Sequence, residues 1–301
     1  MRGMRRITAV IAAIVVIACV ATPLALHYGQ KRHNQLAIDL SDLQRTTDPR
    51  PLPGSAFARS IIAIIEHELD GVTGWRPNDL FIWGPHLLAD NNANRQLGIL
   101  QALRDTTRVF KDHLTKVSSD VFDQNLVDAD TLLRNDAQRW AFPSAESRYR
   151  MAVVKLKAYV AGLEANPPTS RPINTRNSEL MRLLQAWTEL LGDAHAELFR
   201  KNLGWFETDD VFYHAQGYCH VIVHTLPAIE IDYARELGNR PVLKSLLEEA
   251  RVPLERAAVM KPVMVLNGGD TSVLANHRRN LDSYVNEARQ KIYSMRDELE
   301  K

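Results

Sequence analysis

Residues 7–26 form an unbroken run of 20 positions without a charged side chain, and beyond it apolar residues recur at helical spacing to the carboxyl end. A helix rises 1.5 Å per residue, so the run covers about 30 Å, the thickness of a bilayer's hydrocarbon core. It predicts a transmembrane helix near the amino terminus. The apolar part of a cleaved signal peptide is shorter, about 7–15 residues. Val16, Ile17, Ala18 and Cys19 resemble a lipid-attachment tetrad, yet apolar residues continue to Leu26, as a retained span requires. Arg2, Arg5 and Arg6 precede the run, and Lys31 and Arg32 follow it. The positive-inside rule places residues 1–6 in the cytoplasm and the bulk of the chain outside, which in a bacterium is the periplasm.

Residues 27–53 read as a juxtamembrane segment ending in a spacer, because Pro49, Pro51 and Pro53 favour extended backbone. From 54 to 301 the pattern is helical. Phe57, Ile61, Ile62, Ile65 and Leu69 make the first stripe, closed by Gly71, and a loop follows through Trp75, Trp83 and Pro85. Leu100, Leu103, Phe110 and Leu114 make the second, and Phe122, Leu126, Ala129 and Leu133 the third. Pro143 and Ser144 signal the start of a helix carrying Tyr149, Val153, Leu156, Val160 and Leu163. Pro167, Pro168 and Pro172 then break the chain, which allows two sub-bundles, 54–165 and 174–301. The second begins with a four-three stripe from Leu180 to Leu198. Thr208, Asp209 and Asp210 open a central helix that is apolar almost all round from Tyr218 to Ile231, with a kink expected at Pro227. Pro241 starts another helix, which Pro253 interrupts. Residues 263–266 read as a short extended run turning at Asn267, Gly268 and Gly269, with Asp270 or Thr271 capping the next helix. The last helix carries Leu274, Leu281, Val285, Ala288, Ile292, Met295 and Leu299 on one side, a seam suited to the bundle or to self-association. The predicted fold class is all-α: one amino-terminal transmembrane helix followed by a multi-helix bundle.

Charge and composition narrow the function. Lys and Arg number 37 against 36 Asp and Glu, so there is no basic field for nucleic acid. Two cysteines cannot build a disulfide framework or a four-thiolate zinc site. Cys19 lies in the span, and Cys219 reads as a buried small hydrophobe. Trp140, Trp187 and Trp205 are expected in packing. The chain has no Gly-rich phosphate loop, dinucleotide fingerprint, His-Glu-x-x-His or Gly-x-Ser-x-Gly. No catalytic residue and no cofactor is assigned.

One constellation carries candidate chemistry. Asp209, Tyr213, Gln216, His220 and His224 are spaced four, three, four and four apart, so at 100° per residue they fall within about 80° of one another. His220 and His224 stand one turn apart, a spacing at which two imidazoles can share a metal, with Asp209, Glu230 or His277 needed to complete it. The plainer reading is a structural stripe facing water or a polar groove, holding no metal. Exposure discriminates the two classes of function. A scaffold would leave the stripe on a wet convex face, whereas a binding protein would fold it into a pocket with converging groups.

Several strings also resemble a known family. They are residues 140–150 (WAFPSAESRYR), Asp209 to Tyr213 with Ala215 and Gly217, residues 228–233 (AIEIDY), and Leu266-Asn267-Gly268 with Ala275-Asn276-His277. Together they resemble DUF2333, a family of uncharacterised bacterial membrane-anchored proteins, from about Gly54 to the carboxyl end. The resemblance implies a bacterial source, one span and a helical soluble part. An acidic residue is common in that family where His214 stands, and an aromatic one near Cys219 and His220, so no family-wide role for these histidines is implied. The expected function is a non-catalytic scaffold or accessory subunit that binds envelope partners. The alternative is a small-molecule or metal-binding protein, with hydrolysis as its activity if it has one, that uses the stripe.

Overall fold

Helix α1 (Arg2–Gln35) carries the apolar run and continues nine residues past its end. In this computed structural model, residues 2–35, 37–44, 52–79, 90–115, 122–201, 203–269 and 272–301 are described. The proline spacer at 45–51, the loop residues Trp83 and Pro85, and the capping candidates Asp270 and Thr271 lie outside them. A short 3-10 turn (Ser41–Gln44) and nine further α-helices follow among the described residues: α2 (Ser55–Asp70), α3 (Asn91–Val109), α4 (Gln124–Leu133), α5 (Ala145–Glu164), α6 (Asn177–Phe199), α7 (Trp205–Asp232), α8 (Ala234–Gly238), α9 (Pro241–Val259) and α10 (His277–Glu300). A π-helical turn, Phe110–Leu114, extends α3, and there are no strands among the described residues. The all-α prediction holds.

The stripes became the faces they predicted. Ile61, Ile65, Leu69, Leu100, Leu103, Leu156, Leu184 and Leu191 all lie in the core. Ser144 caps α5, its hydroxyl accepting from Ser147 N–H at 3.3 Å. Residues 165–176 form the loop between α5 and α6, and the core runs across it. The most extensive interface joins α3 to α7, one from each side of that loop. Two glycines permit it. A Cβ on Gly98 would stand 2.1 Å from the His214 carbonyl oxygen, and one on Gly217 would stand 2.3 Å from that of Arg95. The two backbones meet where neither has a side chain, which brings the flanking residues of both helices unusually near one another.

Local signals misread four points. Helix α7 starts at Trp205 rather than Thr208, because Glu207 accepts from Gly204 N–H at 3.0 Å and Thr208 donates to the Gly204 carbonyl at 2.9 Å. Pro253 does not interrupt α9: one hydrogen bond is lost, but Leu247, Ala250, Leu254 and Ala257 are buried on either side. Leu274 is outside α10 and exposed, because the Asn276 side chain accepts from Arg279 N–H and caps the helix there. Phe122 precedes α4 and is 38% exposed, Asp123 being the cap. The seam from Leu281 to Leu299 is buried within the chain, with α10 packed on α6 and α9.

The helices share two ends. At the far end, Asp232 accepts from Phe57 N–H at 2.8 Å, and Asn177 donates to the Leu299 carbonyl at 3.3 Å. At the near end lie the last turns of α2 and α6 and the first turns of α3, α5 and α10, tied by Arg278 to the carbonyls of Leu198 and Arg200. The end of α1 docks there. His33 packs on Gly71, where a Cβ would stand 2.1 Å from its ring, and Lys261 donates to the Asn34 carbonyl at 2.7 Å. Residues 37–43 then run along α2 and α5, burying Ile38 and Leu43.

A buried histidine and carboxylate cluster as the candidate functional site

Glu68 occupies a core-facing position of α2, seven residues after Ile61 and three after Ile65, where an apolar side chain would continue the stripe. Its carboxylate is buried and must be matched. Arg95, core-facing on α3 and itself buried, supplies the charge at 3.0 Å. Gln96 donates to Glu68 Oε2 at 3.1 Å, and His33 Nε2 approaches the same oxygen at 3.4 Å. Asn92 accepts from Arg95 at 3.3 Å. From α7, His220 brings its ring nitrogens to 3.3 and 3.4 Å from Arg95 Nη2, and His224 packs its ring 4.3 Å from that of His220. His67 completes the group, its ring centroid 4.5 Å from that of His33 and 6.4 Å from that of His220. Four helices thus contribute four imidazoles, one carboxylate and one guanidinium.

The electrostatics follow from this packing. Burial pushes the Glu68 carboxyl up, but Arg95 and the His33 contact outweigh it and hold the group at about 2. Burial pushes the imidazoles down: His67 falls to about 4 although Glu68 pulls the other way. His220 falls well below its ordinary value, by burial and then by Arg95, and His224 falls too. Near neutral pH the cluster is therefore one ion pair surrounded by three neutral rings, His67, His220 and His224. Neutral imidazole is the form that ligates metals, and ligating atoms of His33, His67 and Glu68 lie within 4.8 Å of one another.

The predicted stripe is buried at Tyr213, Gln216 and His220 and half-buried at Asp209 and His224, and its side chains turn to different neighbours. His220 and His224 join the cluster. Gln216 is turned to the end of α9, donating to the carbonyls of Ala257 and Met260 at 3.0 and 2.7 Å. Asp209 and Tyr213 lie toward Asp90, whose carboxyl is pushed up to about 7 by burial and then by Asp210 and Asp209. Burial pushes the Tyr213 hydroxyl up to about 12. The proposed completing ligands also lie elsewhere. Glu230 stands beside Glu248, and His277 accepts from Leu266 N–H at 2.9 Å. Cys219 is fully buried as expected, its thiol pushed up to about 12 by burial. Trp187 is in the core and donates to Thr106 at 3.1 Å, whereas Trp140 is exposed on a loop. The Trp205 side chain lies outside the described residues.

Sequence reasoning missed His33, His67, Glu68 and Arg95. The available signal was a charge on an apolar stripe: Glu68 continues the register of Ile61 and Ile65, and Arg95 that of Ile99 and Leu103. The family described as an uncharacterized protein conserved in bacteria, DUF2333, matches residues 2–200 and 193–301. The match starts at residue 2, so it takes in α1 and reaches further toward the amino end than the resemblance from Gly54. No curated protein and no solved structure matches the chain. Matched from its apolar first helix through the three helices that complete the cluster, α2, α3 and α7, the chain belongs to the DUF2333 family.

Proposed function

We propose that this protein is a non-catalytic scaffold or accessory subunit of the bacterial inner membrane, with residues 1–6 cytoplasmic, one retained span and a periplasmic bundle that binds envelope partners. The observation that carries the reading is the continuity of α1 from its apolar run into the bundle, clamped by Gly71 against His33 and by Lys261 on Asn34. A helix that leaves a bilayer unbroken and is gripped within two turns holds the bundle in one place and attitude. That suits a protein presenting surfaces to neighbours. The stripe, buried or half-buried, is not the wet convex face expected of a scaffold, so under this reading the surface offered lies elsewhere, in a groove of about 770 Å³ between residues 37–43, α2 and α5. Ile62, Ala63 and Val160 line it, and the ion pairs Arg59–Glu164 and Lys157–Glu66, each 2.6 Å, rim it. An apolar floor with charged rims fits an amphipathic segment of a partner.

Two measurements test this. A reporter active only in the periplasm, fused after Lys301, is expected to be active, and an inactive one beside an active cytoplasmic fusion overturns the topology. A photo-crosslinker at Ala161 in the groove is expected to trap a discrete partner in cells, with none trapped from Lys244 on α9. Equal labelling at both sites removes the groove as the binding surface.

The cluster favours a second reading, metal binding. Ligands about 2.0–2.2 Å from a tetrahedral zinc ion lie roughly 3.3–3.5 Å apart. His33 Nε2 and Glu68 Oε2 stand 3.4 Å apart, long for a hydrogen bond and right for co-ligands. Arg95 already neutralises that carboxylate and opposes a cation. Zinc retained through dialysis at one equivalent, and lost in both His33→Ala and His67→Ala, would establish the metal reading. No retained zinc leaves the accessory-subunit reading alone.

A further inference from the structure

Large apolar side chains are exposed at one end of the bundle, and it is the end where α1 docks. Trp140 is 64% exposed and Phe142 fully exposed on the loop between α4 and α5. Val263, Met264, Val273 and Leu274 are exposed on the loop before α10, two of them by more than 80%. Both loops are fixed to the docking point. Trp75 donates to the Ala137 carbonyl at 2.9 Å and Asn78 to that of Arg139 at 3.2 Å, which ties the first loop to the segment after α2. That segment meets α1 directly, since a Cβ on Gly29 would lie 3.2 Å from Thr73 and 3.8 Å from Val72. The second loop follows Lys261, which grips Asn34. It is closed on itself, Gly268 N–H donating to Ala275 at 3.1 Å.

The level of these loops along α1 sets what they face. Gly29 to Asn34 lie three to eight residues beyond Leu26, about 4–12 Å along the helix axis. A headgroup layer is roughly 5–7 Å thick, half the difference between the full bilayer and its hydrocarbon core. The near end therefore begins at the depth of the headgroups. Aromatic and aliphatic side chains there move from water into the interface, the position in which Trp is enriched in membrane proteins. Scattered apolar residues on a surface are ordinary, whereas a set gathered around the exit of a span marks a contact. Arg139 and Lys201 are exposed at the same end and suit anionic lipid.

We propose that the near end of the bundle is a second, peripheral membrane contact, in which the Trp140–Phe142 loop and the exposed pairs Val263–Met264 and Val273–Leu274 insert into the headgroup region of the leaflet that α1 leaves. This rests on α1 being a membrane span. The occupant is lipid, and the bundle stands on the membrane at two loops in addition to its anchor.

Depth-dependent fluorescence tests it on the full chain reconstituted in vesicles of phosphatidylethanolamine and phosphatidylglycerol. In a Cys19→Ser background, Cys219 being fully buried, an environment-sensitive dye is attached at Phe142→Cys, Val273→Cys or, as the far-end control, Val242→Cys. The parent chain, labelled at Cys19, reports on the span itself. At positions 142 and 273, blue-shifted emission and loss of intensity with lipid-borne quenchers are expected, with neither at 242. Quenching at Cys19 with 142 and 273 as wet as 242 overturns the proposal and leaves the span standing. Absence of quenching at Cys19 overturns the span, and the proposal with it.

Discussion

Gly71 shows how one position decides the docking of α1. Its φ of −66° is open to any residue, so the requirement for glycine is spatial. A Cβ would stand 2.1 Å from the His33 ring. Gly71→Ala is expected to cost about 1–3 kcal/mol, the usual range for overpacking, and to expose residues 27–44 to protease. Chemical denaturation and limited proteolysis check it, and an unchanged digestion pattern refutes the contact. His67 carries the pH prediction. Its folded value of about 4 lies below its ordinary 6.5, so the unfolded chain takes up the proton first as pH falls. Above pH 6.5 the group is neutral in both states, and stability is lost progressively from there toward pH 4. The groups around it are Glu68, Arg95, His33 and His224, and His220 and His224 share the sign of the shift. Asp90 and Asp232, raised to about 7 and about 6 by burial, act in the opposite sense. Comparing His67→Gln with the parent cancels those contributions, and the variant's loss of stability between pH 6.5 and 4 should be shallower. Parallel pH profiles would show that the folded state does not hold His67 neutral.

Among the elements, α7 is central because α2, α3, α6 and α9 all pack on it. Ile222, Leu226 and Ile229 are fully buried, as its all-round apolar pattern required. Ile222→Ala or Leu226→Ala should cost about 2–5 kcal/mol by leaving a cavity. Leu226→Asp should abolish folding, since no partner awaits a carboxylate there. A Leu226→Asp protein that melts like the parent would overturn the burial of that face. The α3–α7 crossing is a separate test. Gly217→Ala places a methyl 2.3 Å from the Arg95 carbonyl and 2.6 Å from Ile99 N, both backbone atoms that cannot swing away. The helices must part, and the Arg95 contact to His220 parts with them. This substitution is expected to destabilise more than Gly71→Ala, whose obstacle includes a side chain able to rotate.

At the scale of the whole molecule, the question is how far the bundle depends on the segment joining it to the apolar run of α1. Ile38 and Leu43 are in the core, and His33 is buried against Glu68. A fragment starting at Leu52 should still fold around the core of α2 to α10, but with lower stability. Burying Ile38 and Leu43 contributes about 1.5–3 kcal/mol each, before the chain entropy of ordering residues 37–44. Urea titration of fragments beginning at His27 and at Leu52 measures the difference. Equal midpoints would mean that residues 37–44 leave the bundle surface in solution, and the groove would lose one wall.

Much of this architecture was local enough to read from the chain. The apolar first helix, the helical registers, the stop at Gly71, the start at Ser144 and the burial of α7 depend on spacing within one segment, and periodicity reports that directly. Misreadings arose where a neighbouring segment overruled a local signal. Pro253 stays helical because its flanks are packed, and Leu274 is excluded from α10 by the cap and bridge at Asn276. The candidate site was half legible. Spacing on one helix found His220 and His224 together, but the same spacing grouped them with Asp209, Tyr213 and Gln216, which turn to different neighbours. His33, Glu68, Arg95 and His220 lie on four helices, and the contacting pair Arg95 and His220 is 125 residues apart in the chain. Which of them meet is set by the angle and closeness of helix crossings, and above all by the contact of Gly98 and Gly217 that brings Arg95 onto α7. A sequence records that a helix has a charge on its apolar face; only the packed helices decide which opposite charge it finds.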